Sequence, residues 1–292
     1  MSLVFLRRRR LGAGSTAGII GALTNAQLIA EGETRVVRSW EAEDMASIRA
    51  DDVVVRWGCT AAIPNQPSHV SNSAESIHWC ADKRSGRWDM QIAGVPVPQT
   101  WLHYNDVPDD IIREGVVMRP RTHSQGRQLY VCRTYNEMHD AFHALGNPTD
   151  AYYISSLIPK VAEYRVFCML NRAVWVARKT PGNPDDVAWN VARGGRFDNV
   201  RWDEWPKAVI IAALQAAAVS GTEFCGVDVM VDAEGLPYVL EVNSAPSQTS
   251  PYRQQCVARA FAYHYTQGWN RFPDVEDGPR RTYRSYIHPS LR

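Results

Sequence analysis

The chain has 292 residues, 45% apolar and 22% charged, an ordinary globular make-up with room for roughly two or three domains. Thirty-two Lys and Arg against 31 Asp and Glu leave a formal charge of +1, which excludes a global polyelectrolyte signal for nucleic acid. No run of about 18 apolar residues is present, which excludes a membrane-spanning helix, and the six cysteines are scattered without a CxxC pair, so they read as reduced, buried thiols of a cytoplasmic protein.

Leu3–Leu6 is a candidate first strand, and the apolar segment precedes Arg7–Arg10, the reverse of a signal peptide. Gly12-Ala-Gly-Ser15 then leads into a helix from about Thr16 to Gln27. Strand, glycine turn and helix make an α/β opening; the glycines read either as a plain tight turn or as a close approach to a ligand. Arg35–Arg38 and Asp52–Trp57 are further strands. Arg56, at the carboxyl end of the second, reads either as a substrate-carboxylate partner or as a surface arginine. Pro64–Ser73 is a loop, and Ala74–Ile92 is helical with a break expected around Ser85-Gly86. Lys83, Arg84 and Arg87 form a basic cluster there, and Gly94–Thr100 is an extended linker.

Val116–Pro120 and Leu129–Cys132 are strands flanking the polar loop Arg121–Arg127. Such a loop either offers backbone N–H groups to an anion or is a solvated hairpin turn. Asn136–Leu145 is a short helix, and Tyr152–Pro159 an apolar strand stopped by proline. Glu163–Leu170 and Ala173–Lys179 form a hairpin around Asn171-Arg172, with Arg165, Phe167 and Met169 sharing a face. Thr180–Asn199 is long, polar and glycine-rich, and a segment of that kind in a compact domain is usually functional or mobile. Glu204–Ser220 is an amphipathic helix with Val209, Ile210, Ala213, Leu214 and Ala217 as its stripe. Gln254–Tyr265 is a last helix, and Arg271–Arg292 reads as a weakly structured tail.

The segment Gly226–Pro246 carries the strongest chemical signal. Val227–Val231 and Tyr238–Asn243 are apolar strands joined by the turn Asp232–Gly235. Pairing Val231 with Tyr238 sets Asp228 opposite Glu241, and Asn243 shares a face with Glu241. Two carboxylates facing across a ladder repel each other unless a cation lies between them. Asp, Glu and an amide carbonyl are oxygen ligands, which suits Mg²⁺ holding phosphate oxygens. The rival is a solvated hairpin with incidental charges.

Taken in order, these blocks resemble the ATP-grasp enzymes, most nearly the RimK-like glutamate ligases. The resemblance runs from about Val70 to Ser250. It implies a fold of mixed helices and sheets (α/β, with α+β subdomains) that holds the nucleotide between two subdomains. The expected divisions are an N-terminal α/β domain over 1–96, a central subdomain over 97–153, a C-terminal subdomain with the metal site over 154–268, and a tail over 269–292. Lys83 falls at a phosphate-touching lysine of the family. Arg119 falls where the family usually has a second lysine, a departure that changes phosphate geometry. His123, Ser124, Gln125 and Gly126 resemble the glycine loop over the phosphates. Ser156, Leu157 and Ile158 resemble the hinge that reads adenine, though no acid near it supplies the family's ribose contact. Arg165 matches the arginine after the hinge. Arg178 matches a catalytic basic position beside the transferring phosphate, with Lys179 adjoining. Asn190 and Arg193 resemble the Asn…Arg-Gly-Gly segment of the active site. Asp228, Glu241 and Asn243 match the metal ligands, implying two Mg²⁺ ions, with Mn²⁺ as the alternative.

The resemblance implies ATP-dependent joining of a carboxylate substrate to an amine acceptor (amino acid, peptide or protein) through an acyl phosphate. The same hairpin would also serve a kinase acting on a hydroxyl, or a non-catalytic nucleotide-binding protein. A ligase acting on nucleic acid rests on local charge alone, at Arg7–Arg10 and at Arg280, Arg281 and Arg284. A homodimer is a further expectation.

Overall fold

The computed structural model describes residues 1–9, 11–123, 128–147, 149–183, 186–189, 194–270 and 283–291. Three sheets organise them. The first is wholly parallel in the order β2-β1-β3-β4, from β1 (Leu3–Arg7), β2 (Thr34–Arg38), β3 (Val53–Trp57) and β4 (His69–Ser71). Leu3–Leu6 is fully buried, as a central parallel strand covered on both faces requires. Helix α1 (Ala13–Asn25) follows β1, and the five-residue α2 (Ala42–Ala46) follows β2. Gly12 is the residue before α1, at φ +73°, with its Cα against the Trp57 ring, so a Cβ there would strike the indole. The glycine run is therefore a tight turn at this position. Arg56 is also structural: it is buried, and its Nη1 donates to Cys59 O at 2.9 Å and Ala61 O at 2.7 Å, tying down the loop after β3. The expected loop over 64–73 holds β4 at its end.

The helix expected over 74–92 is two helices, α3 (Ala74–Ala81) and α4 (Lys83–Ile92), and the break falls at Asp82. Asp82 caps α4, accepting from Ser85 N–H at 3.1 Å, and its other oxygen takes the Arg121 Nη2 donor at 2.6 Å. A carboxylate with an arginine in reach is the better breaker, because it satisfies the orphan amides of a helix start.

The second sheet is antiparallel, β5-β8-β6-β7, from β5 (Thr100–Trp101), β6 (Val116–Pro120), β7 (Tyr130–Cys132) and β8 (Tyr152–Ser156). Helices α5 (Asp109–Glu114) and α6 (Tyr135–Ala144) cover it, α6 starting with a capping box between Thr134 and Glu137. Met118, Cys132, Met138, Tyr152 and Ile154 form its own core.

The third sheet has the order β11-β10-β9-β12-β13, from β9 (Ala162–Met169), β10 (Arg172–Thr180), β11 (Arg196–Asn199), β12 (Phe224–Val231) and β13 (Pro237–Asn243). β11 gives strand structure to the end of the segment read as irregular. α7 (Lys207–Ser220) packs on one face of this sheet through Val209, Ile210, Ala213 and Ala217. The other face shares a core with the first sheet through α1 and α8 (Pro251–Gln267). Phe5 meets Phe261 edge-on at 5.4 Å, and Trp57 stacks on Phe224 at 5.2 Å. The described part of the tail is also packed: Ile287 is fully buried and His288 N–H donates to Ala173 O at 2.8 Å. All six cysteines are buried free thiols, and no helix among the described residues is long and apolar enough to cross a membrane.

Candidate active site

The second and third sheets enclose a cavity of about 920 Å³. Lys83 and Arg87 enter it from α4, Arg119 from β6, and Ser155 and Ser156 from β8. Glu163 and Arg165 enter from β9, Lys179 from β10, Phe197 from β11, Asp228 from β12, and Glu241 and Asn243 from β13. Among the described residues seven Lys and Arg side chains line it against five carboxylates, a surplus suited to a polyanion.

The hairpin delivers what its sequence promised, by a different route. Asp228 pairs with Glu241, but Val231 pairs with Pro237 and Met230 with Tyr238. The register slips by one between these pairs, leaving Leu240 as a bulge. Leu240 and Glu241 consequently both line the cavity. The Leu240 carbonyl accepts from Arg87 Nε at 2.9 Å, and the Val242 carbonyl from Lys83 Nζ at 3.0 Å. Two cations one helical turn apart on α4 thus brace the strand that carries Glu241.

Glu241 lies 3.6 Å from Lys83 Nζ and accepts from Asn243 Nδ2 at 3.1 Å. Burial works against its charge, yet Lys83 foremost, with Arg165, holds its pKa well below the usual carboxylate range. Asp228 is gripped by Arg165 through Nε and Nη2, each at 2.6 Å, and takes Lys179 Nζ at 3.1 Å. Burial again opposes ionisation, and Arg165 and Lys179 overcome it. Lys179 also bonds Glu163, whose other oxygen takes Lys160 Nζ at 2.5 Å. The floor of the cavity is therefore a buried chain of alternating charges, costly to place there and costly to break.

Among the described residues no cluster of three or more His, Cys, Asp or Glu could hold a metal. The candidate donors are two carboxylates and one amide oxygen, a hard oxygen set that fits Mg²⁺, which keeps several waters and takes the rest of its shell from phosphate. Both Asp228 oxygens are bonded to cations here, so a metal there competes with Arg165 and Lys179.

His123 Nε2 is 2.9 Å from Tyr153 Oη, and burial, followed by Arg119, pushes its pKa down to about 3. It is a neutral wall residue of the cavity. At the hinge, Ser156 N–H donates to Gln99 O and Leu157 N–H to Gly115 O, both at 2.9 Å. The Ile158 amide makes no such bond among the described residues, which leaves it open to a base. Ser124, Gln125, Gly126, Asn190 and Arg193 lie outside the described residues.

Arg178 is the expected residue the structure does not bring in. It is exposed and absent from the cavity wall, and Lys179 takes the inward place. The cause is register. A symmetric turn at Asn171-Arg172 would set Arg178 opposite Arg165. In fact Met169 pairs with Arg172, and a bulge at Val174 shifts the rest, so Lys179 faces Glu163 and Ala177 faces Arg165. Residues not assigned from the sequence are Arg87, Tyr153, Lys160 and Glu163. Arg87 had a readable signal, since it lies four residues after Lys83 and so on the same helical face.

The RimK-like ATP-grasp domain family matches residues 91–259, more than half of the chain. This protein belongs to that family. A protein of Aeromonas salmonicida described as a probable alpha-L-glutamate ligase is 27% identical over 181 residues, covering 60% of this chain and 59% of the relative. A similarly described protein of Vibrio vulnificus is 27% identical over 184 residues, 61% of this chain and 60% of that one. The chain thus spans about 60% of the length of these curated relatives. The fold extends further than the sequence match. The RimK-domain ATP-grasp protein of Sphaerobacter thermophilus superposes with a TM-score of 0.60 at 17% identity, over 90% of this chain and 98% of that one. The D-alanine–D-alanine ligase of Bacillus anthracis gives 0.60 at 14%, over 91% and 99%. The ATP-grasp ligase PsnB, in complex with a precursor variant, Mg and ADP, gives 0.63 at 12%, over 92% and 99%. In this RimK-like ATP-grasp chain the first sheet lies outside the family match, and the second and third sheets carry the cavity.

Proposed function

We propose that the chain is an ATP-dependent carboxylate–amine ligase that releases ADP and phosphate. The observation that carries this reading is the opposed pair Asp228 and Glu241, with Asn243, on one wall of a cation-lined cavity wide enough for a nucleotide. The charge surplus favours a triphosphate, and the Ile158 amide and apolar neighbours such as Leu157 and Leu129 suit the base. Lys83, Arg87 and Arg119 would meet phosphate oxygens, and Lys179 the transferring group. Asp228, Glu241 and Asn243 would hold Mg²⁺, one ion or two, with Mn²⁺ as a substitute; the metal would neutralise developing phosphate charge.

In the first step a substrate carboxylate oxygen bonds to the γ-phosphorus, the bond to the bridging oxygen breaks, and ADP leaves with its electron pair. The chain's part is to align the reactants and neutralise charge, which is most of phosphoryl-transfer catalysis. In the second step the amine nitrogen attacks the acyl carbon, the carbon–oxygen bond to phosphate breaks, and the amine proton passes to solvent or to the departing phosphate. An amine arriving neutral needs no strong base. The relatives described as glutamate ligases and the neighbour bound to a precursor support an amino acid or peptide as substrate.

The test is ADP release with Mg²⁺ over a panel of amino acids and peptides, with mass measurement of the product. Ligation yields ADP, free phosphate and an amide. ADP without free phosphate, together with a phosphorylated acceptor, would make the protein a kinase instead. Absence of any Mg·ATP binding would end both readings.

A further inference from the structure

Helix α6 buries Met138 and Ala141 against the second sheet and leaves His139 and His143 exposed on its solvent side. Four residues apart, the two stand one above the other on the same helical face. Their Nε2 atoms are 3.1 Å apart, with ring centroids at 4.2 Å and ring planes at 83°. The Phe142 ring lies edge-on to that of His143 at 6.2 Å. One proton at most fits between the two nitrogens, one ring donating and the other offering its lone pair. No other hydrogen bond or ion pair reaches either ring among the described residues. Both rings are in solvent, so packing does not account for their approach.

Imidazole nitrogen binds Zn²⁺ at about 2.0–2.1 Å, so two nitrogens 3.1 Å apart subtend an angle of about 100° at a shared ion. That lies between the roughly 90° of a tetragonal site and the roughly 109° of a tetrahedral one, and a small ring rotation reaches either. The side chains already converge, so little ordering cost is left for binding. Neutral imidazole suits Zn²⁺, Ni²⁺ and Cu²⁺, whereas Mg²⁺ prefers oxygen. No third His, Cys, Asp or Glu joins the pair among the described residues. The other coordination positions therefore belong to water or to an outside donor. Such a site exchanges its ion, unlike a structural zinc site closed by four protein ligands.

We propose that His139 and His143 form a two-histidine chelate for a divalent transition ion, Zn²⁺, Ni²⁺ or Cu²⁺, on the solvent face of α6. It is separate from the oxygen donors Asp228, Glu241 and Asn243, and it does not rest on the ligase reading. The bound ion ties two successive turns of α6 together, and it stabilises the folded chain as its occupancy rises.

The experiment is calorimetric titration of the full, untagged chain with Zn²⁺, Ni²⁺ and Cu²⁺ in turn, with excess Mg²⁺ present to occupy hard oxygen sites. Cu²⁺ binds the wild type most tightly, in the general order for nitrogen donors, and Zn²⁺ raises the thermal midpoint. His139→Ala and His143→Ala, at exposed helical positions that favour alanine, each lose about 10-fold or more in affinity, and Zn²⁺ no longer raises their midpoint. The electron paramagnetic resonance spectrum of the Cu²⁺ form shows coupling to two imidazole nitrogens in the wild type and to one in either variant. A variant whose circular dichroism departs from wild type is replaced by His139→Gln or His143→Gln, which keeps the bulk and removes the ring nitrogens. Equal affinity of wild type and both variants overturns the chelate, as does a wild type that binds none of the three ions.

Discussion

Glu241 keeps its charge in a buried place because the cations Lys83 and Arg165 lie near it. Glu241→Gln preserves shape and removes the anion, so ATP turnover should fall by about 100-fold or more, with the circular dichroism spectrum unchanged. A folded variant with near wild-type turnover would remove Glu241 from the metal site. Arg87 braces Leu240, lines the cavity, and has a buried Nη1 with no partner among the described residues. Arg87→Met should raise the KM for ATP by about 10-fold, the value of one charge-assisted bond, and Arg87→Lys should recover part of it; an unchanged KM in both would make the residue a brace alone. Arg119→Lys should keep at least partial activity, because a lysine reaches the same wall with a point charge. The residue scale is also where sequence reasoning reached its limit. Arg178 and Lys179 are adjacent and chemically alike, and only the bulge at Val174 decides which faces the cavity. A bulge is set by tertiary packing, here of Trp175 and Val174 into the shared core, and leaves no local signature in the sequence.

At the level of elements, Asp82 ends one helix, caps the next and anchors Arg121. Asp82→Ala should cost about 1–2 kcal/mol, read as a lower midpoint in urea, and should loosen the Lys83 turn enough to weaken ATP binding. A variant of wild-type stability would show that the break between α3 and α4 is held by other contacts. Most of the elements were legible because their apolar periods are clean: the buried run of β1, the Ala-rich stripe of α7 and both strands of the late hairpin. The facing of Asp228 and Glu241 was legible for the same reason. The bulge at Leu240 was not, because it depends on a donor from α4, some 150 positions away in the chain. The short pieces β4, β5 and α5 were missed because two to six residues are too few to establish a period.

For the molecule as a whole, the described tail and α8 meet at a buried histidine pair. His288 Nε2 lies 3.3 Å from His264 Nε2, with Tyr263 edge-on to both rings. Burial drives the His264 pKa down to about 4, from the ordinary 6.5. The unfolded chain therefore binds a proton that the folded chain refuses, and stability falls as pH drops from about 6.5 to about 4. The full effect is on the order of 3 kcal/mol. Urea titrations between pH 7.5 and 4.5 should show this loss, and His264→Phe should flatten the slope; an unaltered slope would assign the acid sensitivity to other groups.

The first and third sheets are sewn together by α1, α8 and the aromatic contacts among Phe5, Trp57, Phe224 and Phe261, whereas the second sheet has a core made only of its own residues. Opening the cleft to admit a nucleotide therefore cannot come from the first of these units swinging against the third without tearing apolar surface into water. The second sheet, with its separate core, is the unit whose displacement exposes the least apolar surface, while the third sheet keeps Asp228 and Glu241 in fixed register.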